Sequence, residues 1–180
     1  MNLGGERKAI EAALDNYRAQ LDTIPDELFT LSPPGGGWSF AEVYSHILQA
    51  TLGASVALER CTHNNYSTSS KGPNLFGRLA MLLGRLPLRT KASAALTAKM
   101  PAAKISKEDA KTLILKCRRR LDDIIPLVKG ASPDARYKHP RLGMLNAAQW
   151  LKFIRMHLQH HIKQLGRIQK KLSTNETFYI

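Results

Sequence analysis

Apolar residues recur at steps of three and four along four long segments of this chain, and this spacing places them on one face of a helix. The four series are Ile10, Ala13, Leu14, Tyr17, Leu21 and Ile24; Val43, Ile47, Ala50, Ala54, Ala57 and Cys61; Ala110, Leu113, Cys117, Leu121, Ile124 and Val128; and Ala147, Trp150, Ile154, His157, His161, Leu165 and Ile168. No alternation typical of strands joined by hairpin turns is recognisable. We therefore predict an all-α fold, an antiparallel four-helix bundle with a long crossover between the second and third main helices.

Capping and turn residues set the expected boundaries. Three pairs match the capping-box spacing and predict helix starts: Ser39 with Glu42, Ser106 with Asp109, and Asn146 with Gln149. The first helix is expected to end near Pro25, the third at Gly130 and the last at about Lys171. The chain then forms a single helical-bundle domain over residues 1–172, with a long basic connector containing a short helix at 62–105 and a tail at 173–180.

The net charge of +13 is unevenly distributed along the chain. Residues 71–120 carry thirteen Lys and Arg against two acidic residues, whereas residues 1–70 are net acidic. Such a stretch attracts nucleic acid, another polyanion or an acidic metabolite, although it also simply keeps many proteins soluble. Single-strand binders usually combine a basic groove with aromatic rings, and aromatic residues are sparse here.

We expect a cytoplasmic protein without a membrane anchor. The sequence contains no run of 18 or more apolar residues, and its first residues lack the apolar run of a secretory leader. Its two cysteines, Cys61 and Cys117, are too few for a disulfide framework, and both fall on inward-facing stripes.

Histidines occupy the apolar face of the last helix. His157 and His161 lie one turn apart in the stripe, with Cβ atoms expected about 5–6 Å from each other, which lets two ring nitrogens reach one cation. His160 is rotated about 100° from His161, toward the edge of the stripe. Buried imidazoles need partners, and either a shared metal ion or hydrogen bonds within the core supplies them. The last helix alone leaves both interpretations open.

A third imidazole is expected from the second helix, where His46 lies at the border of the buried stripe. Three imidazoles leave at least one position on a metal open, which is typical of catalytic rather than structural sites. Glu42, one turn earlier, could orient His46, although capping with Ser39 also explains it. We expect His63 and His139 at surface or turn positions.

The stretches "WSFAEVYSHILQA" (38–50) and "HPRLGMLNAAQWLKFIRMHLQHHIKQLGRI" (139–168) resemble the opening and closing motifs of the DinB/YfiT-like proteins. The resemblance implies a four-helix bundle with a divalent metal, zinc or nickel first and iron, manganese or copper as alternatives, held by His46, His157 and His161. His160 and Glu42 are candidates for supporting roles around these ligands. Members with an assigned activity often use a low-molecular-weight thiol in transfer or isomerisation, and homodimers are common.

Three functions follow as hypotheses. The first is a metal-dependent enzyme with a small-molecule substrate, either a thiol S-transferase or a hydrolase, with Arg78, Arg85 or Arg89 holding the carboxylates of a glutathione-like thiol. The second is a binding module for nucleic acid or an acidic metabolite, with a structural or vestigial metal site. The third is a metal-free bundle whose histidines pack and form hydrogen bonds.

Overall fold

The computed structural model describes residues 2–63, 71–86 and 103–176 of the 180-residue chain. Its helices are α1 (Leu3–Thr23), α2 (Asp26–Phe29), α3 (Phe40–Arg60), α4 (Leu75–Leu83), α5 (Lys107–Ile124) and α6 (Ala147–Glu176). A 3-10 turn at Ile125–Gly130 continues α5, and two strands, β1 (Arg136–His139) and β2 (Gly143–Asn146), precede α6. The four long helices form the predicted bundle, and the short helix predicted in the connector is α4.

Each long helix packs against two others. Helices α1 and α3 both contact α5 and α6, so the four helices enclose one apolar core. Two ion pairs link α1 to α5, Arg7 with Asp122 and Asp15 with Arg118. Residues early in α1 thus meet residues late in α5, and these two helices are antiparallel.

The connection between α3 and α5 crosses the bundle. The Cys117 thiol donates to the carbonyl of Leu48, and Arg120 pairs with Glu59 further along both helices. Helix α5 therefore runs in the same direction as α3, which only a long crossover allows. Residues 64–70 and 87–102 of this crossover, including much of the predicted basic connector, lie outside the described residues.

Side-chain caps confirm the predicted helix starts. Ser39 and Glu42 form a complete capping box at α3, and Ser106 and Asp109 form another at α5. At α6 the side chains of Asn146 and Gln149 exchange hydrogen bonds with each other's backbone N–H groups. Each box satisfies N–H groups that a helix start leaves unpaired.

The predicted apolar stripes form the core, with two shifts. Leu113 is only half-buried, because Ile114 faces inward in its place, and the half-buried Ala50 and His157 line a cavity. The last helix also continues five residues past Lys171, so the predicted tail begins inside it, and residues 177–180 lie outside the described part.

The loop before α6 contains a short hairpin that no alternating pattern in the sequence indicated. Strands β1 and β2 pair antiparallel, with Arg136 opposite Asn146 and His139 opposite Gly143. Four-residue strands are too short to show an alternating pattern, and their pairing depends on the turn between them.

Helix α4 is fixed to this hairpin. The backbone N–H of Asn74 donates to Leu142 O at 2.9 Å, and Met144 N donates to Gly72 O at 3.2 Å. Gly77 packs so closely that a Cβ there would lie 2.3 Å from Leu142 O. The hairpin and α4 therefore act as one layer beside α3 and α6. No helix within the described ranges combines the length and the apolar character needed to span a bilayer.

Candidate metal centre

Three imidazoles meet between α3 and α6. His46, His157 and His161 each offer one ligand atom, and these atoms lie within 4.8 Å of one another. The ring of His46 lies 5.5 Å from that of His157 and 4.9 Å from that of His161, measured between centroids. The structure thus brings together the three histidines that the sequence analysis selected.

Local helix geometry explains how this cluster forms. His157 and His161 are one turn apart on α6, and their Nε2 atoms approach to 3.1 Å. His46 lies on the face of α3 that packs against α6. Because α3 and α6 are rigid elements with a buried contact, the three rings are positioned without help from a loop.

A glutamine determines the protonation of one ring. The Oε1 atom of Gln164 lies 2.8 Å from Nδ1 of His161, and an amide oxygen can only accept, so Nδ1 carries the proton. The lone pair of His161 is therefore on Nε2, the atom that faces His157. This arrangement, in which the distal nitrogen donates to a fixed acceptor, is typical of metal-binding histidines.

The environment favours neutral imidazoles. Burial, with smaller contributions from the nearby rings of His46 and His160, lowers the pKa of His161 to about 3. Burial and the other histidines also hold the pKa of His157 well below its usual value, and burial lowers that of His46. Neutral imidazole is the form that binds a metal.

The residues fit a divalent cation. Nδ1 of His46 is buried and has no hydrogen-bond partner among the described residues, a state that normally costs free energy. Two nitrogens at about 2.0–2.1 Å from one zinc ion are about 2.9–3.4 Å apart at ordinary coordination angles, and the 3.1 Å between the Nε2 atoms falls in that range. Three neutral nitrogen donors suit zinc, nickel, iron and copper alike.

The cluster opens into a cavity of about 780 Å³. Small residues of α3 form one side of it: Ala50, Gly53, Ala54 and Ala57. Nothing in the sequence marks Trp38 and Trp150 as cavity residues, yet both line the cavity, and the Trp38 ring lies 5.0 Å from that of His46 between centroids. A second depression of about 440 Å³ near Asp26 and Lys107 has no histidine among its lining residues.

His139 also lines this cavity, although the sequence suggested only a surface or turn role. Its Nδ1 does hold the hairpin turn, because it accepts the backbone N–H groups of Arg141 and Leu142, both at 3.1 Å. Its ring packs 4.4 Å from Phe153, which in turn stacks on His157. Its position in the sequence does not predict this contact with the cavity, because His139 lies outside the helices and the β1–β2 hairpin brings it to the cavity.

Of the other residues considered from the sequence, His160 lies beside the three-histidine cluster, whereas Glu42 and His63 do not contribute to it. Glu42 accepts two hydrogen bonds from Ser39, one from its N–H and one from its hydroxyl, which is the capping role. His160 packs edge-on against His161 at 5.1 Å and lines the cavity. His63 is exposed at the end of α3.

The polar residues suggested for substrate binding are mostly elsewhere. Arg78 and Arg85 are exposed and do not line the cavity, and Arg89 lies outside the described residues. Among nearby glutamines, Gln149 caps α6 and Gln159 accepts from Arg155, whereas Gln164 forms a hydrogen bond with His161.

Several solved structures share this fold. A four-helix bundle protein, TT2238, is 20% identical with a TM-score of 0.60, and the match covers 92% of this chain and 99% of that one. YfiT from Bacillus subtilis, described as a probable metal-dependent hydrolase with an unusual four-helix bundle topology, is 11% identical with a TM-score of 0.63 over 95% and 87%. A mycothiol-dependent maleylpyruvate isomerase is 12% identical with a TM-score of 0.53 over 90% of this chain and 60% of that one.

Identities this low establish the fold alone, and no curated protein sequence is detectably similar to this chain. The sequence profile of the DinB superfamily, however, matches residues 9–165, which include α3 and α5, most of α1 and α6, and all three clustered histidines. This chain belongs to the DinB superfamily.

Proposed function

We propose that this protein is a divalent-metal-dependent enzyme, either a transferase that uses a low-molecular-weight thiol or a hydrolase, acting at His46, His157 and His161. The observation that carries the proposal is the position of three convergent, neutral imidazoles in a cavity large enough for a small-molecule substrate. A purely structural metal site would be closed by a fourth protein ligand.

The three histidines would hold the metal, and Gln164 would fix the orientation of one of them. When bound, a divalent cation would supply Lewis acidity. It would lower the pKa of a thiol or water bound to it, so that the reactive deprotonated form is available near neutral pH. His161 is buried and His46 and His157 are half-buried, and a less polar environment than water strengthens such electrostatic effects. Zinc or nickel is the first expectation, with iron, manganese or copper as alternatives.

The choice of reaction class is supported by analogy. YfiT is described as a probable metal-dependent hydrolase, and the isomerase that shares this fold depends on mycothiol. We extend both to this chain as the two reaction classes to test, together with a homodimeric assembly and a cytoplasmic setting. Neither cysteine is available as a nucleophile at the cluster, because Cys61 and Cys117 are buried and donate to backbone carbonyls elsewhere.

The alternative is a module that binds anionic partners through residues 71–120. Within the described part of that stretch, Arg118 and Arg120 are engaged in ion pairs with Asp15 and Glu59. These pairs reduce the positive charge that α5 offers to a polyanion. A titration with single-stranded DNA and RNA at low and at physiological salt tests this function, since phosphate contacts weaken steeply with salt.

The proposed function is tested first by metal content. Protein purified without a histidine tag is expected to contain one equivalent of metal by mass spectrometry, and His157→Ala is expected to lose it. His63→Ala removes an exposed imidazole and serves as the matched control. Failure of the wild type to bind zinc, nickel or manganese after supplementation would contradict the proposal.

Activity is tested second. The metal-loaded protein is assayed with glutathione, bacillithiol and mycothiol against electrophilic acceptors, and with ester and amide substrates without thiol. We expect turnover in one of the two series, lost in His157→Ala and retained in His63→Ala. Stoichiometric metal without turnover in either series would instead favour a structural site.

A further inference from the structure

The cavity beside the histidines has walls of two chemical kinds. One part is apolar and comes from the small residues of α3, from Phe76 of α4 and from Leu142, Trp150 and Phe153. The other part is the β1–β2 hairpin, which contributes Lys138, His139 and Arg141. The imidazoles of His46, His157 and His161 lie in the same cavity. A ligand that fills it meets apolar surface and cations at once.

The charge of the walls has one sign. Lys138 and Arg141 both line the cavity, and none of the described residues that line it is Asp or Glu. The Arg141 guanidinium lies 5.6 Å from the centroid of the Phe76 ring, a contact that holds the cation against the apolar wall. Arg60 adds charge behind the same wall, since it donates to the hydroxyl of Tyr137. The cavity is therefore complementary to an anion.

The hairpin also fixes a neutral hydrogen-bond donor. Because Nδ1 of His139 accepts from two backbone N–H groups, it cannot carry a proton, and the ring proton must be on Nε2. Nε2 has no hydrogen-bond partner among the described residues, and the ring packs against Trp150 and Phe153, at centroid distances of 5.2 Å and 4.4 Å. A ring with a fixed tautomer and orientation donates to a ligand at little entropic cost.

We propose that this cavity binds an organic carboxylate with an apolar body, whose anionic group is held by Lys138, Arg141 and the Nε2–H of His139. As the substrate class of the three-histidine site this inference rests on the proposed function, but binding itself requires only the cavity. The apolar body fills the space lined by Ala54, Ala57 and Phe76. The hairpin thus takes the role that the sequence suggested for Arg78, Arg85 and Arg89.

The direct test is a binding titration with octanoate and, as the uncharged analogue of the same length, octan-1-ol. The chain has only two tryptophans, Trp38 and Trp150, and both line the cavity, so fluorescence from selectively excited tryptophan reports on this site. The titration is carried out on the full chain after dialysis against a chelator, so that a carboxylate cannot bind through a metal. We expect octanoate to bind at least tenfold more tightly than octan-1-ol, and acetate to bind more weakly than octanoate.

A charge-matched pair of double variants separates local recognition from net charge. Lys138→Gln with Arg141→Gln is expected to weaken octanoate binding by about tenfold or more and to leave octan-1-ol binding unchanged. Arg119→Gln with Lys129→Gln removes two exposed cations that do not line the cavity, and it is expected to bind octanoate like the wild type. Equal effects of the two double variants, or equal affinities for octanoate and octan-1-ol, overturn the inference.

The role of His139 is tested by ¹⁵N spectroscopy of its ring. We expect the chemical shift of an unprotonated nitrogen at Nδ1 and of a protonated one at Nε2, with octanoate changing mainly the Nε2 resonance. A protonated Nδ1 overturns this part. Octanoate is also titrated into the metal-free His157→Ala variant, which separates the two proposals. Binding in the absence of metal supports the cavity inference even where the metal-dependent function fails.

Discussion

Nε2 of His157 lies 3.1 Å from Nε2 of His161, one turn further along α6. Both rings are neutral, because burial and neighbouring imidazoles lower their pKa values. The proton of His161 is on Nδ1, where Gln164 accepts it, so a lone pair faces the other ring. Either His157 donates across this gap or a cation occupies it, and binding of the proposed metal would convert the first state into the second.

The hydrogen bond between Gln164 and His161 should therefore control metal affinity. We expect Gln164→Leu to reduce the affinity about 10–100-fold, because the His161 ring loses the acceptor that fixes its tautomer and orientation. Competition with a chromogenic chelator measures the change. Gln169→Leu, which alters an exposed glutamine of the same helix, is the control. Equal affinities of the two variants would show that Gln164 does not orient the ligand.

The packing of α4 on the hairpin gives a prediction about stability. Gly77→Ala places a Cβ 2.3 Å from the backbone oxygen of Leu142, so the two elements must separate. We expect the free energy of unfolding to fall by roughly 1–3 kcal/mol. Gly166→Ala, in α6 with open space around the added methyl group, should instead raise it by up to about 1 kcal/mol. Urea denaturation monitored by circular dichroism distinguishes the two variants. An unchanged free energy of unfolding in Gly77→Ala would contradict the close contact.

The cysteines are expected to be unreactive in the folded protein. Burial raises the pKa of Cys117 to about 12 and that of Cys61 to about 11, so the reactive thiolate is scarce near neutral pH. Titration with Ellman's reagent at pH 8 should show slow reaction in buffer and rapid reaction of two thiols in denaturant. A thiol that reacts rapidly in the native state would indicate that its helix opens.

His139 should make the metal-free protein sensitive to acid. Burial, with a smaller effect of Arg141, lowers its pKa to about 4, whereas in the unfolded chain the pKa of a histidine is near its ordinary value of 6.5. Folding thus favours the neutral ring. Its contribution to the free energy of unfolding is fully present above about pH 6.5 and is lost as the pH falls toward 4.

Between pH 7.5 and pH 4.5 the free energy of unfolding should fall in both proteins. We expect this fall to be about 1–2 kcal/mol smaller in His139→Phe than in the wild type, after allowance for the partial exposure of the ring. Urea unfolding of chelator-treated protein at both pH values measures this difference. His63→Ala, which changes an exposed ring, should follow the wild type. Parallel pH profiles of His139→Phe and the wild type would exclude a buried neutral ring.

Much of the fold could be predicted because its signals are local. Capping residues mark where α3, α5 and α6 begin, and each box forms between residues three positions apart, which are neighbours in any helix. The same reasoning placed His157 and His161 on one face of α6, since helical phase depends only on sequence spacing. The hairpin was missed because its pairing of Arg136 with Asn146 depends on contacts between strands too short to show a pattern.

The sequence by itself determined the helices, their buried faces and the histidines they carry, because a helix is specified by interactions within about four residues. Only the tertiary structure decided that His46 meets the pair on α6, that Trp38 and His139 line the same cavity, and that Lys138 and Arg141 lie beside it. Those relationships join residues separated by about a hundred positions, and they arise from how α3, α6 and the hairpin pack. No spacing along the chain encodes them.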